Sequence, residues 1–140
     1  VELINYDHLT EQDKIYLAAF IDGDGGVYVY PTSPSTRTPG SYYVQVLFCN
    51  TNKEVMLWIS GVLKEPLEVN RQETLKEKTF YRIRVNGSNA MRLLFRLLPY
   101  FKAKKQQAEL AIQCHCAFTP AEKEHLRHQI HQLNAKKDMS

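Results

Sequence analysis

The stretch Leu17-Ala18-Ala19-Phe20-Ile21-Asp22-Gly23-Asp24-Gly25 decides how this chain is read. Five apolar residues run into an alternation of acid and glycine. Upstream, Thr10-Glu11-Gln12-Asp13 has the form of a capping box, with Thr10 as N-cap and Asp13 reaching back from the third position. A helix therefore runs from there to about Asp22, and Gly23-Asp24-Gly25-Gly26 ends it. Between Tyr16 and Asp22 this helix is apolar nearly all round. Leu17, Phe20 and Ile21 make a bulky side; Ile15, Ala18, Ala19 and Asp22 make another. A helix buried on both sides packs against two things. The bulky side covers its own sheet, while small residues at Ala18 and Ala19 admit a second backbone. In a single domain of 140 residues the second partner is expected to be the same helix of another copy across a two-fold axis. Ala18, Ala19 and Asp22 are the expected interface.

Asp22 and Asp24 lie at the helix exit, where an acid opposes the helix dipole. A bound divalent cation would offset that cost. Aspartate beside glycine is also an ordinary turn former, and spacing alone leaves both readings open.

Beyond the glycines, Val27 to Tyr30 is β-branched and aromatic, hence strand, and Pro31 to Ser41 is a Pro- and Ser/Thr-rich hairpin loop. Tyr42 to Cys49 is a strand with Val44, Val46 and Phe48 on one face and Tyr43, Gln45, Leu47 and Cys49 on the other. Asn50 or Thr51 is expected to cap a second helix with Val55, Ile59, Val62 and Leu63 inside, ended by Pro66. Leu67 to Gln72 and Lys78 to Asn86 make a second hairpin. A third helix is expected from Ser88 to Leu98, stopped by Pro99, and a fourth from Lys102 to Ala117. Thr119-Pro120-Ala121-Glu122 opens a last helix with the stripe Leu126, Ile130 and Leu133. Helices and hairpins in this order predict an α+β fold, an antiparallel sheet with helices on one face. The other face carries Tyr43, Gln45, Asn70, Gln72, Arg82 and Arg84. Such a face is either merely solvated or suited to base edges and phosphates.

Bulk properties set limits. A hydrophobic content of 44% with 24% charged residues describes a globular chain. The net charge of +3 permits nucleic-acid binding without requiring it. Three unevenly spaced cysteines (Cys49, Cys114, Cys116) argue against a disulfide scaffold and for a reducing compartment. No apolar run approaches the ~18 residues of a membrane span. An intracellular location, in an organelle or a bacterial cytoplasm, is the expectation. His125, His128 and His131 do not share one helix face, and Cys114 and Cys116 are too close for the usual zinc spacing.

The nine residues from Leu17 to Gly25 closely resemble the LAGLIDADG motif of homing endonucleases, in the single-motif branch that works as homodimers. Pro99-Tyr100-Phe101-Lys102-Ala103-Lys104-Lys105-Gln106-Gln107-Ala108 resembles the stretch of that family carrying a basic active-site residue. The likeness covers about residues 8–113, leaving 114–134 as a C-terminal helical part of one domain. It implies an αββαββα core and a metal-dependent endonuclease hydrolysing double-stranded DNA at a long, near-palindromic site, as in intron homing. It implies Asp24 as the metal-holding carboxylate, with the Gly23 carbonyl beside it and Asp22 mainly structural. It also implies Lys104 as the active-site lysine and Asn52 in a water network. The family's basic residue one turn later falls on Met56, a departure. Ala19 stands where the motif has glycine. Mg²⁺ is the implied cofactor, with Mn²⁺ substituting and Ca²⁺ binding without cleavage. The implied DNA readers are Tyr28, Tyr30, Arg37, Tyr43, Gln45, Asn70, Gln72, Arg82 and Arg84. An RNA maturase, or a DNA-binding regulator that no longer cleaves, are the alternatives on the same fold.

Overall fold

In the computed structural model, residues 3–32, 41–70 and 79–139 are described, with side chains to residue 135. Thr10 opens α1 (Glu11–Asp24) through the expected capping box. Its hydroxyl accepts the Asp13 amide at 3.0 Å, and the Asp13 carboxylate accepts the Thr10 amide at 3.1 Å. The helix continues past Asp22 to Asp24, because Gly23 keeps helical geometry and the Gly25 amide still donates to the Ile21 carbonyl. Strand β1 (Gly25–Pro31) begins at once. A Cβ on Gly25 would lie 2.5 Å from the Leu47 carbonyl oxygen and 2.9 Å from Ile21 Cα. Only glycine lets the strand start directly beneath the end of the helix.

Strand β2 (Tyr42–Asn50) pairs antiparallel with β1, from Gly25 opposite Phe48 to Pro31 opposite Tyr42. Then come α2 (Lys53–Leu63), β3 (Glu68–Asn70), β4 (Phe80–Asn86), α3 (Gly87–Leu97), a 3₁₀ turn at Leu98–Tyr100, α4 (Lys105–Cys116) and α5 (Pro120–Met139). The four strands form one antiparallel sheet in the order β1-β2-β4-β3. One face is apolar. Val27, Val29, Val44, Val46, Phe48, Ile83 and Val85 are buried beneath Leu17 and Ile21 of α1, Leu93, Leu94 and Leu97 of α3, and Ala108 and Ala111 of α4. Among the described residues no helix is long and apolar enough to cross a membrane.

The structure corrects several expectations. Ala18 is fully buried in the core of its own chain, so it belongs to no interface with another copy. The buried side of α1 is Leu17, Ala18 and Ile21, while Ile15 and Ala19 face out. Asn52, rather than Asn50 or Thr51, caps α2. Met56 joins Ile59 and Leu63 as its buried residues, with Val55 and Val62 only partly covered. A cation at position 56 would be sealed in hydrocarbon, which accounts for methionine there. Helix α4 starts at Lys105 rather than Lys102.

Helix α5 is fastened along the β1 edge of the sheet. Thr119 Oγ1 accepts the Glu122 amide at its start, Ile130 is buried, and Asn134 donates to the Val27 carbonyl at 3.1 Å. Tyr42 in β2 donates to Glu124 at 2.6 Å, and Arg127 grips the same carboxylate at 2.9 and 2.5 Å. The hydrogen bonds from Arg127 and then Tyr42 hold the Glu124 carboxyl down to about 2. A depressed folded-state value means that this contribution is complete above the ordinary carboxylate range. It is lost as pH falls through about 2. We therefore expect the Tyr42 and Ile130 NMR resonances to stay native-like until pH approaches 2, and Glu124→Gln to abolish that acid transition. A transition at the ordinary midpoint of 4.5 would contradict it.

Candidate active site and nucleic-acid interface

Asp24, the last residue of α1, is exposed. Asn50 at the end of β2 donates to its Oδ2 at 3.3 Å. Asn50 also accepts the Asn52 amide at 2.8 Å, so its side chain is steered toward the acid from both ends. Asn52 itself accepts the Val55 amide at 3.1 Å as the α2 cap, which commits its oxygen to the helix. Asn50 is the neighbour that sequence reading missed. The hairpin register, with Gly25 opposite Phe48, carries the end of β2 to the end of α1 and was the signal that located it.

Asp22 does different work. Its Oδ2 accepts the Lys102 amide at 2.7 Å and its Oδ1 the Lys104 amide at 2.8 Å, across 80 and 82 residues of sequence. Both oxygens are thus engaged within the chain. The consequence is positional: the backbone at Lys104 is held two residues from Asp24. Lys104 is only 4% exposed, whereas Lys102 and Lys105 are exposed. Gly23, between the two acids, is exposed.

Among the described residues there is no group of three or more His, Cys, Asp or Glu able to hold a metal. One exposed carboxylate beside a backbone carbonyl suits a hard cation that keeps most of its waters, as Mg²⁺ does. Asp24 also acts on the sheet: burial pushes the Cys49 thiol up, Arg82 opposes this, and the Asp24 charge adds to it.

The outer sheet face follows from the register. Tyr28 faces Gln45, Tyr30 faces Tyr43, Leu47 faces Arg84, and Cys49 faces Arg82. In β3, Glu68 faces Arg82 and Asn70 faces Phe80. Tyr28 and Tyr30 stack with ring centroids 5.9 Å apart, and Tyr43 lies 5.7 Å from Tyr30, forming an aromatic ladder on β1 and β2. Burial raises the Tyr30 hydroxyl above its ordinary value, with Tyr28 and Tyr43 adding. Gln45 departs from expectation: it is 7% exposed and its amide donates to Asn86 at 2.8 Å. It supports the face rather than projecting from it. Arg37 and Gln72 lie outside the described residues. Glu68, absent from the expected readers, sits amid the arginines, so the β3–β4 end of the face is less basic than the arginines alone suggest.

A helix–hairpin–helix–hairpin–helix chain with helices on one sheet face and an acid at the first helix exit is the fold of the LAGLIDADG homing endonucleases. Specifically, the structure is similar to that of the homing endonuclease I-CvuI in complex with its target in the presence of Ca, with TM-score 0.69 and 20% identity over 87% of this chain and 82% of that one. I-CvuI with the I-CreI target and Mg, its DNA not cleaved, gives TM-score 0.61 at 21% identity over 92% and 82%. The archaeal intron-encoded homing endonuclease I-Vdi141I complexed with DNA gives 0.66 at 14% over 88% and 84%. No protein-family model and no curated protein matches the chain.

Asp22→Ala removes two charge-assisted hydrogen bonds to amides and is expected to cost about 2–4 kcal/mol in denaturant unfolding. Asp22→Asn, which keeps one acceptor, should recover part of that loss. An unchanged midpoint for Asp22→Ala would show that the tie is dispensable.

Proposed function

We propose that this chain is a site-specific, metal-dependent DNA endonuclease of the homing type, acting as a homodimer on a long, near-palindromic duplex. The observation that carries this reading is the Asp22 tie, which brings buried Lys104 to the turn bearing exposed Asp24. The fold likeness to DNA-bound homing endonucleases supports it.

The Asp24 carboxylate and the Gly23 carbonyl would hold the cation. When bound, Mg²⁺ supplies Lewis acidity and lowers the pKa of a coordinated water. Asn50 holds the Asp24 carboxylate in one orientation. Lys104 places a positive charge where negative charge accumulates on the phosphate, and it is worth most because it is shielded from water. The outer sheet face lies along the major groove. Nine residues of β2 at ~3.3 Å each span ~30 Å, which is about nine base pairs.

The dimer face is the exposed side of α1, namely Gln12, Ile15, Tyr16, Ala19 and Gly23. These residues recur every three or four positions, so they share one face. Ile15 is 49% and Tyr16 45% exposed, and Trp58 stands edge-on to Tyr16 at 5.4 Å. Ala19 and Gly23, one turn apart, admit a second backbone, and two copies packed there set two Asp24 carboxylates side by side.

Incubating the chain and Mg²⁺ with a randomised duplex library should yield sequenced ends sharing one near-palindromic site. Asp24→Asn is expected to reduce cutting to background while Ca²⁺-supported binding survives; persistent cutting rejects the metal assignment. Ala19→Glu should give a monomer by sedimentation and no cleavage. An active dimer carrying that substitution rules out the α1 face.

A further inference from the structure

Glu68 lies on β3, an edge strand, directly opposite Arg82 and one diagonal from Arg84 on the same face. Arg84 binds it side-on: Nε donates to Oε2 at 2.8 Å and Nη2 to Oε1 at 2.5 Å. Arg82 Nη2 lies 3.6 Å from Oε1, while its Nε is buried with no hydrogen-bond partner. A single carboxylate therefore gathers the guanidiniums of Arg82 and Arg84, the two arginines among the described residues of β3 and β4. The two Arg84 hydrogen bonds hold Glu68 below the ordinary carboxylate range, so it stays ionised at neutral pH.

The side-on grip consumes the Nε hydrogen and one Nη2 hydrogen. It leaves one Nη1 hydrogen and the second Nη2 hydrogen of Arg84 on the end-on edge, with the other Nη1 hydrogen turned back toward Cδ. That edge matches the O6 and N7 acceptors of guanine in the major groove. A loose surface arginine, in contrast, pairs with whatever phosphate it meets and reads nothing. Here the arginine is pinned by its inner edge, is 43% exposed, and has a negative charge beside it that repels a phosphate backbone.

We propose that Glu68 is a positioning residue for DNA specificity: it orients Arg84 so that its free edge reads one guanine per half-site, and it restrains Arg82 and Arg84 from indiscriminate phosphate contact. The proposal rests on the DNA-binding reading above. It concerns recognition rather than cleavage, so it is tested by binding alone.

The probe is a randomised duplex library, selected by the full chain in Ca²⁺ and sequenced, for the wild type, Glu68→Gln, Arg84→Ala and the double variant. The expected wild-type motif has a fixed guanine whose preference falls about tenfold or more in Arg84→Ala. Glu68→Gln, which keeps shape and removes charge, should relax the same position to a similar extent, leave the other positions intact, and tighten binding to unrelated duplex. The double variant should lose no more at that position than Arg84→Ala. If Glu68→Gln keeps the guanine, or relaxes a different position from Arg84→Ala, Glu68 does not position Arg84 and the proposal falls while the endonuclease reading survives. If the wild type enriches no motif, the DNA-binding reading itself fails.

Discussion

The carboxylate of Asp22 accepts amides from Lys102 and Lys104 and thereby joins two segments some eighty residues apart. It fixes the backbone at Lys104, just before α4, to the end of the helix that carries Asp24, beside the buried Phe101. The bonds are charge-assisted and together worth about 2–4 kcal/mol, a large share of a small domain's net stability. The two aspartates thus differ in place: the inner acid ties two segments together, and the outer acid remains exposed. Gly25 serves the same arrangement, because its missing side chain lets β1 begin directly under the helix that carries both acids.

The sheet below this junction is built in two halves of different character. Near β1 and β2, three tyrosines form a ladder backed by a buried, hydrogen-bonded glutamine. Near β3 and β4, two arginines share one carboxylate. A net charge of only +3 supplies little bulk positive charge for holding nucleic acid. Restrained donors on a rigid sheet favour discrimination over raw affinity, which suits a protein whose proposed task is to cut one long site among many.

Much of this was legible in the sequence where local rules act alone. The Thr10 capping box, the alternation in β2 and β4, and the Thr119-Pro120 helix start all formed as read, since each depends on neighbours within a few residues. What failed was phase and partnership. Helix α1 is apolar nearly all round, so its pattern could not say which side met the sheet, and Ala18 was turned outward when it belongs to the core. The same weakness put Val55 and Val62 ahead of Met56 in α2. Gln45, Asn50 and Glu68 had to await the register, because only cross-strand pairing reveals that they touch Asn86, Asp24 and Arg84.

Paramagnetic broadening by Mn²⁺ tests the junction most directly. As the ion is titrated into ¹⁵N-labelled protein, amides near a shared cation site lose intensity first. Broadening centred on Gly23 to Gly26, Asn50 and Lys102 to Lys104 together, and absent in Asp24→Asn, is the predicted result. Broadening confined to the α5 histidines, or reaching Gly23 to Gly26 while leaving Lys102 to Lys104 sharp, would contradict it.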